Sequence, residues 1–247
     1  MTLRIAAVVP TYDNPATIAT VVGNLRPHFA TVFVVDDGSG PEGRTACDAL
    51  AKDGRARLVR LPQNRGKGGA VKAGFAAAAE AGFTHVFQVD ADGQHDLACI
   101  PAFLAAAEQN PAALVLGYPE YDASVPKARL AARRVTTFWV DLEVGRKGLV
   151  RDAMIGCRIY PLDAALRSRT RGDRMDFDVE IVVRMARMGV PVVNLPVRVR
   201  YLSRDEGGVS HFQPFRDNLR LSLMHSRICT GICTDWFLRP FRRRRTP

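Results

Sequence analysis

The sequence predicts an α/β protein: a single domain on a Rossmann-like, mostly parallel sheet with helices on both faces. Three observations predict it. Short runs rich in Val, Ile and Phe recur along the chain and alternate with longer runs of helical period. Runs such as Ile5-Ala6-Ala7-Val8-Val9 are apolar throughout, as strands covered on both faces must be. Several of these runs end in Asp, Asn or Gly, at the strand tips where an open parallel sheet leaves its ligand crevice. With 247 residues, 47% of them hydrophobic, the chain can bury one sizeable core without dividing. The main domain is expected over 1–213, followed by an amphipathic helix and an Arg-rich tail over 214–247.

The first strand is expected over Arg4 to Val9, stopped by Pro10. Asn14 suits an N-cap and Pro15 a first helical position. Ile18, Val21, Val22 and Leu25 follow at helical spacing, so a helix should run to about Arg26. The loop between them carries Tyr12 and Asp13, a pair suited to stacking and hydrogen-bonding a base, although Tyr12 equally suits packing on the helix. A second buried strand over Thr31 to Val35 ends in Asp36-Asp37-Gly38-Ser39, with a helix starting near Gly43. Adjacent carboxylates repel unless something pairs with them, so a ribose, a base N–H or a cation is the expected partner. A third strand over Ala56 to Leu61 reads as nearer an edge. The basic, Gly-rich Asn64-Arg65-Gly66-Lys67-Gly68-Gly69 then opens a helix to Gly82. Free N–H groups there, with Arg65 and Lys67, attract phosphate. No Ser or Thr follows Lys67, and Val71 occupies the third glycine position of a dinucleotide fingerprint, so neither standard phosphate loop is present.

The stretch Thr84 to Asp96 carries the strongest chemistry. Val86, Phe87 and Val89 form a buried strand that runs into Asp90-Ala91-Asp92-Gly93-Gln94. Two carboxylates two residues apart can reach one hard cation, and magnesium or manganese held this way keeps other positions for water and phosphate. A helix over Leu97 to Glu108 and a short strand at Leu114 to Gly117 continue the alternation. From Tyr118 to Arg151, Lys127, Arg129, Arg133, Arg134 and Arg146 interleave with Phe138 and Trp139, and a helix is expected across the open edge of the site. A further strand is entered over Asp152 to Tyr160. A helix opens at Met175 and ends at Gly189, with Asp178 near its N-terminus as a structural acid or a general base. A strand broken at Pro196 spans Val192 to Leu202, and a Gly-rich loop with Arg204, Ser210 and His211 follows, suited to folding over a diphosphate.

The net charge of +10 implies an anionic partner: nucleic acid, a phosphorylated substrate or an acidic membrane surface. Five cysteines without framework spacing fit a reducing compartment. The start of the chain reads as a strand rather than a signal peptide. No apolar run approaches the roughly 20 residues of a spanning helix. At the other end, Trp236, Phe237, Leu238 and Phe241 stand beside Arg239 and Arg242 to Arg245, the make-up of an interfacial anchor. At about 1 kcal/mol per arginine near an anionic leaflet, this predicts peripheral, salt-sensitive attachment to the cytoplasmic face of a membrane.

Pro10-Thr11-Tyr12, Val35-Asp36-Asp37-Gly38-Ser39, Asn64-Arg65-Gly66-Lys67-Gly68, Asp90-Ala91-Asp92-Gly93-Gln94, Gly156-Cys157-Arg158 and Gly208-Val209-Ser210-His211 follow one another in the order seen in family 2 glycosyltransferases. The chain most resembles the dolichol-phosphate mannose synthase branch. The resemblance implies a GT-A fold, a nucleotide-diphosphate sugar donor and a divalent metal, Mg2+ or Mn2+. By position it implies Pro10 and Tyr12, with Asn14 beside them, at the base pocket, and Asp36 and Asp37 at base or ribose. Lys67 would meet the phosphates, and Asp90 and Asp92 ribose, metal and diphosphate. Gln94 would face the sugar, and Arg204, Ser210 and His211 the diphosphate. The chain differs from that branch in having Asn14 for Glu, Tyr118 and Pro119 where Arg follows the strand glycine, and His211 for Lys. A neutral imidazole ligates divalent ions, so His211 is expected on the metal with Asp90 and Asp92.

The expected activity is inverting transfer of a sugar to a hydroxyl or lipid acceptor, with Asp92 at the metal and Asp178 as base. Transfer to a polyprenyl phosphate is the alternative, since the missing Arg and Lys are candidate acceptor-phosphate contacts. A nucleotidyltransferase and a basic nucleic-acid-binding protein are the readings from other classes, with nucleic acid not expected as a partner.

Overall fold

The computed structural model describes residues 3–121, 125, 127–200 and 213–242. Seven strands form one sheet: β1 (Ile5–Thr11), β2 (Val32–Asp36), β3 (Arg57–Arg60), β4 (His85–Gln88), β5 (Leu114–Tyr121), β6 (Arg158–Pro161) and β7 (Val192–Val199). Their order is β3-β2-β1-β4-β6-β5-β7. Every neighbouring pair is parallel except the two made by β6, which runs antiparallel to β4 and to β5. The expected chain of parallel units is thus interrupted by one reversed strand. Because β6 is reversed, the loop that enters it opens at the same end of the sheet as the loop that leaves β4.

The helices are α1 (Ile18–Leu25), α2 (Pro41–Lys52), α3 (Lys67–Glu80), α4 (Ile100–Gln109), α5 (Lys127–Val144), α6 (Leu162–Arg167), α7 (Asp176–Arg187) and α8 (Pro214–Arg242). Alternate residues of each strand serve opposite faces. Ala7 and Val9 pack with α1, α2 and α4, where Phe87 stacks on Phe29 at 5.2 Å and meets Phe103 edge-on at 5.9 Å. Ala6, Val8 and Val86 pack with α3, α6, α7 and α8 around Phe75, Tyr160 and Phe177. The near half of α8 belongs to this second core, with Leu221, Met224 and Ile228 buried.

Two expected boundaries move for identifiable reasons. Strand β1 runs through Pro10, which pairs with Val35. Val8 accepts the Val89 N–H on the β4 side at 3.2 Å, so Pro10, two residues on, faces that same side beyond the end of β4, where no ladder bond is lost. Strand β7 likewise continues through Pro196, opposite Tyr118, as the terminal strand of the sheet. The first helix starts later than expected. Asn14 does not cap it: its backbone carbonyl accepts from Thr17 and Ile18, while its side chain turns back to Thr11 and Tyr12.

Candidate active site

Two acidic strand tips sit at the carboxyl ends of β2 and β4, one on each side of β1. At the first, Asp36 is fully buried. Its Oδ1 accepts the Ser39 N–H at 2.9 Å and its Oδ2 the Arg60 Nε–H at 2.8 Å. Burial raises its pKa, but Ser39 and Arg60 together outweigh that and hold the carboxyl below its usual range. Asp37 accepts the Arg65 N–H at 2.7 Å and the Gly66 N–H at 2.8 Å. Burial dominates there and raises its pKa, against those two hydrogen bonds. The pair expected at a base or ribose therefore also performs a local task. Asp36 anchors the edge strand β3, and Asp37 clamps the loop that opens α3. Beside them Asp13 accepts the Gly40 N–H at 2.8 Å, and Asn14 lies buried against Thr11 at 3.4 Å. Pro10 is buried in β1 and Tyr12 is half-buried at its tip.

The clamp makes Lys67 the first residue of α3 and aims its side chain inward. The Lys67 ammonium lies 2.8 and 2.9 Å from the two oxygens of Asp90 and 2.7 Å from Asp178 Oδ2. Burial lowers its pKa, but the two carboxylates outweigh it and keep the amine charged. The residue expected to attract phosphate is thus the hub of an internal ion cluster. Asp178 reaches it because α7 crosses close to α3. A Cβ on Gly68 would collide with the Phe177 side chain, so only glycine permits that approach.

Arg158, on β6, completes the cluster. It is fully buried and donates to the carbonyls of Ile155, Ala153 and Asp178 at 2.7 to 2.8 Å and to the Tyr160 hydroxyl at 3.1 Å. Its Nη1 lies 3.6 Å from Asp178 Oδ1. Tyr160 passes the chain on by donating to Gln88 Oε1 at 3.1 Å, and burial, its largest influence, pushes its pKa up to about 12. Two cations and two carboxylates therefore balance beneath the tip of β4. Apart from its place in the Gly156-Cys157-Arg158 motif, Arg158 shows in the sequence as a charge inside an apolar run, a pattern that a buried strand tolerates when the guanidinium is fully bonded.

Asp92 sits above this cluster. Its Oδ1 accepts the Gln94 N–H at 3.0 Å. Burial and the neighbouring charge of Asp90 raise its pKa, whereas Asp90 itself, despite burial, is held low by Lys67, His95 and Arg158. The loop is pinned to the end of β7, since Asp96 N–H donates to Arg198 O and Arg200 N–H to Gln94 O, both at 3.0 Å. Gln94 is half-buried there. Gly156 supports Asp90 from the reversed strand: a Cβ at that position would overlap the carboxylate.

The donors suit a hard divalent cation. Asp90 and Asp92 supply carboxylate oxygens on one short loop. Asp90 Oδ1 is held by the Lys67 ammonium, whereas the adjacent His95 Nδ1 is a buried atom without a hydrogen bond. A buried imidazole nitrogen left unpaired beside two carboxylates is what a bound ion would satisfy. His95 is a residue that sequence reasoning passed over, although its place directly after Gln94 marks it. Arg204, Ser210 and His211 lie outside the described residues.

Beside the site, residues of β5, of α5 and of the loop after α5 line an open groove, among them Tyr118, Leu130, Arg133, Arg134, Lys147 and Arg151. Arg133 pairs with Asp152, and the Arg151 guanidinium lies 4.1 Å over the Tyr118 ring. Asp152 also accepts the N–H groups of Met154 and Ile155 at 2.8 Å, which ties the groove to the loop entering β6.

The sequence model of glycosyl transferase family 2 matches residues 6–166. The chain is 29% identical over 212 residues to an undecaprenyl-phosphate mannosyltransferase of Micrococcus luteus, covering 79% of this chain and 83% of that one. It is 35% identical over 101 residues to a polyprenol monophosphomannose synthase of Mycolicibacterium smegmatis, covering 38% of this chain and 37% of that one. Among solved structures it resembles glucosyl-3-phosphoglycerate synthase of Mycobacterium tuberculosis in complex with Mn2+, uridine-diphosphate and phosphoglyceric acid. The TM-score there is 0.66 at 16% identity, over 94% of this chain and 78% of that one. That likeness shows the GT-A fold, and the match to the family covers well over half of the sequence. The chain belongs to glycosyl transferase family 2.

Proposed function

We propose that the protein transfers a sugar, with inversion, from a nucleoside-diphosphate donor to the phosphate of a polyprenyl-type lipid at the cytoplasmic face of a membrane. The observation that carries the choice of acceptor is the Lys67 ammonium 2.7 Å from Asp178 Oδ2, with Arg158 on the other side of the same carboxylate. That carboxylate is buried, with one oxygen taken by Lys67 and the other facing Arg158, so it is poorly placed to meet an acceptor hydroxyl. A phosphate acceptor is already ionised and needs no base, whereas a hydroxyl acceptor does. The groove beside the site adds Arg134, Lys147 and Arg151 to receive an anionic headgroup. The named activities of the Micrococcus and Mycolicibacterium relatives support the same reading.

On this reading Asp90 and Asp92 would hold Mg2+ or Mn2+, with His211 as a further ligand. When bound, the ion neutralises charge developing on the departing diphosphate. The chain's own residues do the rest. Pro10, Tyr12 and Asn14 shape the floor under the base, Asp36 and Asp37 fix the loops around the ribose, and Gln94 faces the sugar. Lys67 holds Asp90 ionised and in place, so no proton has to leave it before the donor binds. By the family resemblance, Arg204 and Ser210 would contact the diphosphate. No carboxylate in the buried cluster lacks a cation, which disfavours a covalent sugar intermediate and favours one direct displacement with inversion.

A second reading keeps Asp178 as general base for a hydroxyl acceptor. It is favoured by Asp178 Oδ1, a buried oxygen with no hydrogen bond. One experiment separates the two. Labelled nucleotide sugars are incubated with the protein, Mn2+, and either a polyprenyl phosphate or the matching polyprenol. Transfer to the phosphate alone, persisting in Asp178→Asn at measurable rate, is the expected result. Transfer to the alcohol, abolished in Asp178→Asn, would establish the second reading. Failure of any nucleotide sugar to raise the melting temperature with Mn2+ present would overturn both.

A further inference from the structure

Two adjacent helices turn apolar stripes away from the protein. On α5, Val135, Phe138, Trp139 and Leu142 fall at i, i+3, i+4 and i+7, with exposures of 60, 63, 36 and 57%. The flank of that helix next to Trp139 is the buried one, carrying Val140 and Glu143. On α8, Phe215, Leu219 and Leu223 fall at i, i+4 and i+8, at 82, 51 and 60% exposure, while Leu221, Met224 and Ile228 enter the core. The helices are fastened to each other. His225 Nδ1 lies 2.8 Å from Glu143 Oε1, and the His225 ring stacks on Trp139 at 5.8 Å between centroids. The stripes therefore share one outer face, and grouped apolar exposure of this kind marks an interaction surface.

Charge selects the occupant. Arg134, Arg146, Lys147 and Arg151 are exposed along α5 and the loop after it, as are Arg216 and Arg227 on α8. The acids nearby are withdrawn: Glu143 and Asp217 are buried, and half-buried Asp141 accepts the Gly148 N–H. A second copy of the chain would bring this cationic rim against itself. An anionic lipid surface complements it, and an apolar stripe within a basic rim is the pattern of a helix lying in a membrane interface. Among the described residues no helix is long and apolar enough to cross a membrane.

We propose that the α5–α8 face is the surface on which the protein lies against an anionic bilayer, with Val135, Leu142, Phe215, Leu219 and Leu223 entering the boundary between headgroups and acyl chains. This surface is distinct from the basic tail after Thr234. It rests on the lipid-acceptor reading only in its consequence. The groove borders α5, so its mouth meets the membrane and the acceptor reaches it without leaving the bilayer.

The test is cosedimentation of the full chain with vesicles of phosphatidylcholine containing phosphatidylglycerol, and with phosphatidylcholine alone. The variants are Val135→Ser with Leu142→Ser, Leu219→Ser with Leu223→Ser, and a truncation after Thr234. All substituted side chains are exposed, and an unchanged melting temperature verifies folding. Wild type should bind the anionic vesicles, and each stripe pair should lower the partition coefficient by about tenfold or more. Stripe variants that bind like wild type, or binding lost only on truncation, would overturn the proposal. So would a wild-type dimer, seen by sedimentation velocity, that the stripe variants dissociate. Sugar transfer to a short-chain, water-soluble lipid phosphate reports separately on the acceptor. If that transfer fails while stripe-dependent binding persists, the acceptor reading falls and the docking surface stands.

Discussion

Replacing Lys67 with methionine keeps a side chain of similar reach but removes the cation that joins Asp90 to Asp178. At an effective dielectric near 20, each pair at contact distance contributes on the order of 4 kcal/mol of attraction, part of which offsets the cost of burying the ammonium. Lys67 is only 13% exposed, so solvent screens little of this. Leaving two carboxylates under the β4 tip without their shared partner should cost about 3–5 kcal/mol. Urea denaturation at pH 7 measures it. The pH dependence gives the sign. In the wild type Asp90 is held below its usual range, so its contribution is present above the unfolded pKa of about 3.9 and lost as pH falls through the lower folded value. Lys67, with its folded pKa raised, contributes below about pH 10.4 and loses that contribution only above it. The gap between wild type and variant should therefore widen from pH 3 to pH 7 and stay level to pH 9. A loss under about 1 kcal/mol at pH 7, or a gap independent of pH across that range, would refute the account of Lys67 as the hub of the cluster.

Three further outcomes follow from the same geometry. Asp92→Ala should lower sugar transfer about a hundredfold or more while urea denaturation stays within roughly 0.5 kcal/mol of wild type, because the residue sits on a loop above the cluster; normal turnover, or full activity in excess chelator, would remove Asp92 from the metal site. Gly156→Ala drives a methyl into the Asp90 carboxylate and should cost about 1–3 kcal/mol together with most of the activity, read by denaturation and by transfer assay on the same sample. Metal affinity, followed by Mn2+ titration calorimetry, should weaken as pH falls through a value above the ordinary carboxylate range, because the raised pKa of Asp92 protonates it early; an affinity flat down to pH 4 would count against that residue as a ligand.

Much of this arrangement is legible in the chain. The apolar runs place β1, β2 and β4, and Asp90 and Asp92 mark the crevice because a carboxylate pair directly after a buried strand has few structural uses. The edge position of β3 follows from its alternation. What stays hidden is pairing at a distance. Nothing local tells that β6 runs backwards, since direction is set by how the 69 residues between Gln88 and Arg158 return to the sheet. Lys67 reads as a phosphate contact because its partners, Asp90 and Asp178, lie 23 and 111 positions further along. Pro10 and Pro196 look like strand ends only because the sequence does not show which side of each strand lacks a neighbour.

The reversed strand also bears on how the site comes into being. Strands β1, β2 and β3 can assemble from neighbouring parallel pairs 24 or 25 positions apart, while β1 meets β4 across 80. The β4–β6 ladder joins Gln88 to Arg158, and only that union brings Gly156 behind Asp90 and Arg158 beneath Asp178. Loop closure of that length is slow and comes after the local contacts. During synthesis the first half of the chain emerges carrying an acidic tip with no backing. Recovery of enzymatic activity in refolding should accordingly trail the return of helical signal, and the lag between the two would time the moment at which the reversed strand finds its place.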